Sequence, residues 1–324
     1  MVSRVTSHAG NAGAGTVIAV DPLHPPPQAL ALAGQLIREG KLVAFPTETV
    51  YGLGANAYDD AAVRRVFAAK GRASDDPLIV HLATTAELEA VAEVPGELRA
   101  VVQALAARFW PGPLTVVLPK SARIPPSVTA GLPTVAVRVP SHAVAQGVLR
   151  AAGVPIAAPS ANTFTRTSAT AAAHVVEDLG PRVDLVLDGG PAPIGIESTV
   201  IQLAGGEVRL LRPGAVPPEA IDEVLLQQGL PPTRRVSPAS QQSDDRDAAG
   251  GAEGGPAPSP AGAEGQTAPR GPAASPGLSP KHYAPRARLL YFSGPPAAAR
   301  EAMLAAAREA LTGGRRVGLL LYHE

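Results

Sequence analysis

Two cations, Lys70 and Arg72, are the residues best suited to chemistry in this sequence. They follow a strand-like run, Leu42–Phe45, and a glycine-lined turn, Pro46–Gly54, that carries threonine and tyrosine hydroxyls. Arginine binds phosphate through paired hydrogen bonds and lysine binds it as a point charge, often in a loop beside a strand end. The pattern predicts a site that holds a polyphosphate beside a small polar substrate. A solvated helix terminus would explain the two cations equally well.

An arginine inside an apolar strand is the second indication of a binding site. Arg138 lies within Val135–Pro140, and a buried guanidinium is costly unless it pairs with an anion. That anion is either an internal Asp or Glu or a substrate carboxylate, and the sequence leaves both open. His81 ends the apolar run Leu78–His81 and, taken alone, is more typical of a hydrogen-bonded core histidine than of a catalytic one.

Small polar groups follow further strand candidates. Ser160 and Asn162 come directly after Ile156–Ala158, where turn formation or helix capping explains them as well as binding does. Ser198 and Arg212 add another hydroxyl and another cation. Each of these signals is weak on its own.

The segment Gly52–Ala57 matches the G-x-G-x-x-A form of the dinucleotide-binding fingerprint. Its context disfavours a nicotinamide site, because Pro46–Thr49 separates the strand from the glycines and no ribose-binding acid follows a second strand. The glycines are better suited to a close approach of backbone to a ligand, or to a plain tight turn. The sequence also lacks the P-loop, G-x-S-x-G and H-E-x-x-H motifs, which disfavours the corresponding hydrolases.

Composition excludes several classes of protein. The 324 residues are 45% hydrophobic, enough for a sizeable core, and the 28 basic and 28 acidic side chains give no net field toward nucleic acid or a membrane. Without cysteine there is no disulfide, thiolate nucleophile or cysteine-ligated metal. No apolar run approaches the roughly 18 residues of a membrane span, and residues 1–16 lack a signal-peptide core. We therefore expect a cytoplasmic protein that does not contact membranes.

Alternating apolar runs and Ala-rich amphipathic segments predict an α/β fold, a twisted mixed sheet with packed helices. The strand candidates are Thr16–Val20, Leu42–Phe45, Leu78–His81, Leu114–Leu118, Thr134–Val139, Ile156–Ala158, Leu185–Asp188, Ser198–Leu203 and Val208–Leu211. The helix candidates are Pro27–Glu39, Ala61–Ala69, Pro95–Phe109, Ser141–Ala152, Ala171–Leu179 and Pro217–Gln228.

Composition shifts divide the chain into a disordered N-terminus (1–15), a main domain (16–230), a Pro/Ala/Gly-rich linker (231–285) and a partial C-terminal α/β domain (286–324). The linker is too poor in large aliphatic residues to offset its ordering entropy. Beyond it, the sequence predicts a short βαβ-like unit, with a strand, a helix and a strand at Ala287–Phe292, Pro295–Leu311 and Arg316–Tyr322.

Eight motifs occur together in the order found in one family. They are Pro46–Gly54, Lys70–Arg72, Pro77–His81, Trp110–Thr115, Val135–Pro140, Ala158–Asn162, Glu197–Val200 and Leu211–Gly214. Residues 16–228 thereby resemble the YrdC-like threonylcarbamoyl-AMP synthases. A later segment, Pro276–Pro285, resembles the linker of the longer, two-domain members, which makes the C-terminal domain a shortened one.

The resemblance implies an enzyme with a concave, positively charged cavity. Its reaction would convert L-threonine, bicarbonate and ATP, with Mg²⁺, into threonylcarbamoyl-AMP and pyrophosphate for the threonylcarbamoyladenosine modification of tRNA. It also implies hand-over of the product to a tRNA threonylcarbamoyltransferase and allows weak contact with tRNA. Two alternatives remain: a non-catalytic module of the same fold that binds structured RNA, and a carbamoyl-transfer domain that uses carbamoyl phosphate.

The family's functional residues can be carried over position by position. The positions that match threonine contacts are Thr49, His81, Arg138, Ser160 and Ser198. The positions that match ATP contacts are Arg72, Asp76, Thr134, Asn162, Thr170 and Arg212, with Tyr283 closing over the nucleotide. Lys70 and Arg72 are the catalytic candidates beside the phosphates, and no residue is assigned as a metal ligand.

Two departures from the family pattern lie next to these candidates. Ala73 stands where the family usually has proline, and Asp76 where it often has asparagine. The additional negative charge is expected to weaken ATP affinity.

Overall fold

The structure, a computed structural model, describes residues 15–72, 74–204, 206–236, 288 and 290–318. The chain divides into two units, residues 1–284 and residues 285–324. Most of the predicted disordered N-terminus and of the predicted linker lies outside the described residues, as does Tyr283.

The first unit is built on a sheet of short, largely buried strands. They are β1 (Thr16–Ala19), β2 (Val43–Pro46), β3 (Tyr51–Asn56), β4 (Ile79–His81), β5 (Leu114–Pro119), β6 (Thr134–Arg138), β7 (Ile156–Ala157), β8 (Leu185–Asp188), β9 (Thr199–Ala204), β10 (Glu207–Arg212) and β11 (Arg234–Arg235). The strand order is β1-β8-β2-β3-β7-β4-β6-β5-β9-β10-β11. Some neighbours are parallel, such as β4 and β6, and others antiparallel, such as β5 and β6. The predicted twisted mixed sheet is confirmed.

Helices of the first unit begin and end at residues that suit their termini. They are α1 (Pro27–Arg38), α2 (Asp60–Lys70), α3 (Arg99–Phe109), α4 (Pro126–Thr129), α5 (Ala143–Ala152), α6 (Ala172–Leu179) and α7 (Pro218–Gln227). Asp59 caps α2 by accepting hydrogen bonds from the backbone N–H groups of Ala61 and Ala62. Gly71 and Gly153 end α2 and α5 with φ of 61° and 63°, a left-handed conformation that glycine adopts at little cost.

Hydrophobic cores cover both faces of the sheet. Along β2, Val43 and Phe45 point into the core beneath α1 and α5, whereas Ala44 belongs to the larger core on the opposite face. Helices α1 and α5 pack closely because Gly34 leaves room: a Cβ there would lie 2.5 Å from the carbonyl carbon of Ala151. Because both faces of the sheet are buried, its strands are near-continuous apolar runs.

The main correction to the sequence-based fold concerns the glycine-lined segment. Only Thr47–Val50 forms a turn, and Tyr51–Asn56 is the strand β3, which pairs antiparallel with β2. Gly54 is required by packing, since a Cβ would lie 2.7 Å from the Phe45 ring. The glycines that predicted a loop therefore make room for an aromatic core residue inside the sheet.

A second correction concerns the start of the predicted linker. Arg234 and Arg235 form the edge strand β11, which pairs parallel with β10, and Val236 packs on the small cluster that contains Leu211. The ordered sheet therefore extends a few residues past the predicted domain boundary at residue 230.

In the second unit the predicted helix is present as α8 (Pro296–Thr312). The flanking strands are not formed within the described residues 288, 290–292 and 316–318, so the βαβ-like prediction is wrong for these positions. Leu290 and Tyr291 are 48% and 88% exposed, and a strand needs a neighbour with which to pair. The other residues of the two predicted strands lie outside the described ranges.

Candidate active site

A cleft with an empty volume of about 520 Å³ opens where the sheet meets the β2–β3 turn. The described residues that line the cleft are Thr47, Thr49, Val50, Gly52, Arg72, Ile79, His81, Arg138, Ala158, Pro159, Ser160, Glu197, Ser198 and Arg212. It therefore brings together all five residues predicted to contact threonine and the arginines Arg72 and Arg212.

Hydrogen bonds fix the β2–β3 turn at one edge of the cleft. The Thr47 hydroxyl donates to the Val50 carbonyl at 2.6 Å and lies 2.9 Å from the Thr49 hydroxyl. The loop before β9 attaches to the same turn, because the N–H groups of Ile194 and Gly195 donate to the carbonyls of Glu48 and Thr49 at 2.9 Å each. Thr49 is thus held in a rigid frame.

Arg138 forms an ion pair with a carboxylate of the protein itself. Its Nη2 donates to Glu48 Oε1 at 2.6 Å, its Nη1 to Thr49 Oγ1 at 2.9 Å and its Nε to the Gly112 carbonyl at 3.2 Å. The Ser141 N–H donates to the other oxygen of Glu48. Burial of Glu48 opposes its ionisation, but the charge and hydrogen bond of Arg138 hold its pKa below the ordinary value. Of the two anions that the sequence left open, an internal glutamate is the partner.

His81 is an uncharged member of the cleft. Burial, helped by the nearby charge of Arg138, lowers the pKa of its imidazole to about 3. Its Nδ1 lies 3.2 Å from the Ile79 carbonyl, to which it donates as the neutral tautomer. At neutral pH the ring offers a substrate hydrogen bonding without a charge.

Lys70 supports the cleft from behind and is absent from its described lining. The side chain is almost fully buried at the end of α2, and its Nζ donates to the carbonyls of Ser160 at 2.5 Å and Asn162 at 2.6 Å. Burial and the neighbouring Arg72 lower the pKa of this amine well below its ordinary value. The lysine therefore fixes the loop that carries Ser160.

Arg72 reaches the cleft while it remains anchored beneath. Its Nη2 lies 2.8 Å from Asp76 Oδ1, both side chains are 3% exposed, and the same nitrogen donates to the Pro77 carbonyl at 2.8 Å. The guanidinium carbon lies 6.0 Å from the centre of the Phe164 ring. Asp76 thus neutralises part of the charge that Arg72 presents.

Ser198 and Arg212 contact each other in the lining of the cleft. Arg212 Nη2 donates to the Ser198 carbonyl at 2.9 Å and to its hydroxyl at 3.2 Å. The Thr115 hydroxyl lies 2.7 Å from that of Ser198. These contacts join β5, β9 and β10 at the cleft.

The structure places the other predicted nucleotide residues outside the described lining. Thr134 begins β6 and pairs with Pro119, and Thr170 lies beside His174. Asn162 is buried, and its Nδ2 donates to the carbonyls of Thr163 and Arg166. Asp76 lies behind Arg72, and Tyr283 and Ala73 are outside the described residues.

Sequence reasoning missed Glu48, Thr115 and Glu197 as members of this site. For Glu48 a signal existed, because the buried Arg138 required a carboxylate, but its partner is 90 residues away in sequence. Thr115 and Glu197 stood inside recognised motifs without an assigned role.

The described residues contain no group of three or more His, Cys, Asp or Glu side chains that could hold a metal ion. Glu197 is the only carboxylate among the described lining residues. In the same part of the chain, no helix has the length and apolarity needed to cross a membrane.

Comparisons with known proteins agree with this fold. The Sua5/YciO/YrdC family model, described as "Telomere recombination", matches residues 35–214. The chain belongs to the Sua5/YciO/YrdC family, so the resemblance found in the sequence is confirmed.

Individual relatives are similar to this chain over most of its length. The threonylcarbamoyl-AMP synthase of Pyrococcus abyssi is 43% identical over 296 residues, which cover 90% of this chain and 76% of that protein. The synthase of Bacillus subtilis is 41% identical over 300 residues, which cover 91% and 74%. The crystal structure of P. abyssi Sua5 complexed with L-threonine superposes with a TM-score of 0.75 at 39% identity, covering 95% of this chain and 81% of that one.

Proposed function

We propose that this protein is an L-threonylcarbamoyladenylate synthase, a nucleotidyltransferase that forms threonylcarbamoyl-AMP and pyrophosphate from L-threonine, bicarbonate and ATP for tRNA modification. The observation that carries the proposal is that one cleft unites the arginines Arg72, Arg138 and Arg212 with four hydroxyl side chains, in a chain whose similar relatives bear this name. One relative of known structure, P. abyssi Sua5, was crystallised with L-threonine.

The reaction needs two anions in contact. The threonine amine adds to the carbon of bicarbonate with loss of water, and an oxygen of the resulting carbamate attacks the α-phosphorus of ATP, so that pyrophosphate leaves. Arg72 and Arg212 face the site where this charge develops, and the rigid anchoring of both reduces the reorganisation needed in the transition state. Positioning of the two substrates does much of the work.

In this scheme Arg138 recognises the threonine carboxylate through hydrogen bonds more than through net charge. Glu48 already compensates its charge, and three of its N–H groups are directed to Glu48, Thr49 and Gly112. Arginine has five N–H groups, so two remain for a ligand at the cleft. Thr49, Ser160 and Ser198 supply further hydrogen bonds, and neutral His81 adds one without repelling the ammonium group.

Lys70 acts in this scheme as a positioning residue, because its ammonium is directed to the carbonyls of Ser160 and Asn162. The nucleotide contacts of Arg72, Asp76, Thr134, Asn162, Thr170, Arg212 and Tyr283 stay predictions. Mg²⁺ would accompany ATP as part of the substrate and would offset part of the triphosphate charge.

A pyrophosphate-release assay on the purified full chain tests the function. We expect release from ATP only when L-threonine and bicarbonate are both present. Release that does not depend on threonine would contradict the proposal. Omission of each substrate in turn is the internal control.

We also propose that the protein is cytoplasmic and hands its product to a tRNA threonylcarbamoyltransferase, with at most weak contact to tRNA. Support for weak contact with tRNA comes from the zero formal net charge, which produces no overall attraction to RNA. A gel shift with tRNA across a salt series should show weak binding.

A further inference from the structure

The substrate required by the proposed function carries a positive group that the assigned residues do not match. L-threonine is a zwitterion, and the charged residues assigned to the cleft are arginines, which suit its carboxylate and the phosphates. An ammonium group that leaves water needs an anionic or strongly accepting partner. Among the described residues that line the cleft, Glu197 is the only carboxylate.

The other acidic side chains near the cleft are already paired. Glu48 is engaged by Arg138 and by the Ser141 N–H, and Asp76 is engaged by Arg72. No lysine or arginine of the described residues forms an ion pair with Glu197, whose Oε1 accepts a hydrogen bond from the Ser168 hydroxyl at 2.5 Å. A carboxylate that is oriented by a hydroxyl and partly exposed to a cleft is suited to receive a ligand's N–H groups.

The backbone holds Glu197 firmly next to the threonine-contacting candidates. Its carbonyl accepts a hydrogen bond from the Ala215 N–H at 3.0 Å, and Gly195, two residues before it, donates to the Thr49 carbonyl at 2.9 Å. The next residue, Ser198, is fixed by Thr115 and Arg212. These hydrogen bonds therefore fix the backbone segment that carries Glu197 and Ser198 beside the turn that carries Thr49.

We propose that Glu197 binds the α-ammonium group of L-threonine and so selects α-amino acids in this cleft. This role rests on the proposed function and gives it a second charged contact at the amino acid, opposite in sign to that of Arg138. The carboxylate holds the nitrogen in a fixed place; after the ammonium group passes one proton to solvent, the resulting amine adds to the carbon of bicarbonate and water leaves.

The test compares two ligands that differ only at this group, L-threonine and (R)-3-hydroxybutyrate, which lacks the amine. Ligand-observed NMR titration of the full chain without ATP measures both affinities. For the wild type we expect threonine to bind at least ten-fold more tightly. In Glu197→Gln we expect threonine affinity to fall roughly ten- to hundred-fold, the range of a charge-assisted hydrogen bond, while hydroxybutyrate affinity changes less than three-fold.

Two further variants serve as controls for the charge and for the fold. Glu219→Gln makes the same change at an exposed position of α7 and should keep the wild-type preference for threonine. Glu197→Asp keeps the charge on a shorter side chain and should retain part of the preference, even if Glu197→Gln is poorly folded.

The possible outcomes distinguish a failure of the proposed Glu197 role from a failure of the proposed synthase function. If the wild type binds threonine and forms pyrophosphate but Glu197→Gln keeps the full preference over hydroxybutyrate, the ammonium role is wrong and the function stands. A variant that keeps this preference and instead needs more Mg²⁺ would likewise overturn the role, in favour of a metal contact. If the wild type does not bind threonine at all, the proposed function fails and the inference with it.

Discussion

At the residue scale, the cleft is built on buried ion pairs beneath its surface. Arg138 is paired with Glu48 at 2.6 Å and Arg72 with Asp76 at 2.8 Å, in both cases with nearly inaccessible side chains. Replacing one member of such a pair leaves an uncompensated buried charge, whereas the intact pair adds little net stability. Their benefit here is geometric, because each guanidinium keeps one orientation before any ligand arrives.

Lys70 offers a sharp test of a positioning role. Lys70→Met removes the donor from one buried and one partly buried carbonyl, and each unsatisfied group costs about 1–3 kcal/mol, so the free energy of unfolding should fall by roughly 2–6 kcal/mol. Urea denaturation measures this change. Lys120→Met, which removes a lysine bonded to the Ile124 carbonyl at a half-buried site, is the matched control and should cost much less.

Enzyme assays complete this test. Threonine KM and kcat should both worsen in Lys70→Met, because the loop of Ser160 shifts. Wild-type stability combined with a rise in ATP KM alone would show instead that the ammonium contacts phosphate.

The residues of the site were predictable from the sequence where motif and burial agreed. Arg138 was recognised because a charge within an apolar strand needs a reason, whereas His81 and Ser198 were assigned to the site only through the resemblance to the family. The identity of the anion was not predictable, since Glu48 and Arg138 meet only through the sheet order. The spacing of Lys70 and Arg72 in the sequence also could not predict that the Lys70 side chain points into the protein.

At the scale of elements, the glycine content of β3 predicts a turn, whereas its tertiary packing makes it a strand. Three of its positions favour a turn by composition, yet the segment pairs with both β2 and β7. Packing prevailed because Phe45 fills the space that Gly54 leaves. Strands that are buried on both faces were easier to predict, since continuous apolar runs between turn residues have few other uses.

Gly214 couples the end of β10 to the segment that enters β9. A Cβ at this position would lie 2.5 Å from the Glu197 carbonyl oxygen and from the backbone of Ser198 and Thr199. Because backbone must then move, we expect Gly214→Ala to lower the free energy of unfolding by about 1–3 kcal/mol and threonine affinity at least ten-fold. Urea denaturation and ligand titration measure the two effects.

The control for this variant is Gly153→Ala, where φ is +63° and no atom lies within 4 Å of the new Cβ. It should cost about 1 kcal/mol from backbone strain and leave threonine affinity unchanged. Equal threonine affinity in both variants would show that the β10 end does not position Glu197 and Ser198.

At the scale of the whole molecule, acid should destabilise the fold through His81. The pKa of its ring is about 3 in the folded protein and about 6.5 when unfolded, so between these values the unfolded chain binds a proton that the folded chain does not. The free energy of unfolding should therefore be highest above pH 6.5 and fall by up to about 1.4 kcal/mol per pH unit on acidification. Glu48, whose pKa is lowered, adds to the loss below about pH 4.5.

The variant His81→Asn isolates this contribution. Between pH 6.5 and 4.5 its free energy of unfolding should fall less steeply than that of the wild type, as measured by urea denaturation at several pH values. His174→Asn, which removes an exposed imidazole, is the matched control. Parallel curves for His81→Asn and the wild type would contradict a buried neutral ring.

The cleft takes its lining from residues as far apart as Thr47 and Arg212. No contiguous half of the chain contains all the lining residues. An amino acid bound in the cleft would therefore contact early and late segments of the chain at the same time. A nascent or nicked chain would gain affinity only when the last lining residue is in place. Occupancy of the cleft would then report that assembly is complete, and ligand would stabilise the finished fold by an amount that grows with the logarithm of its concentration.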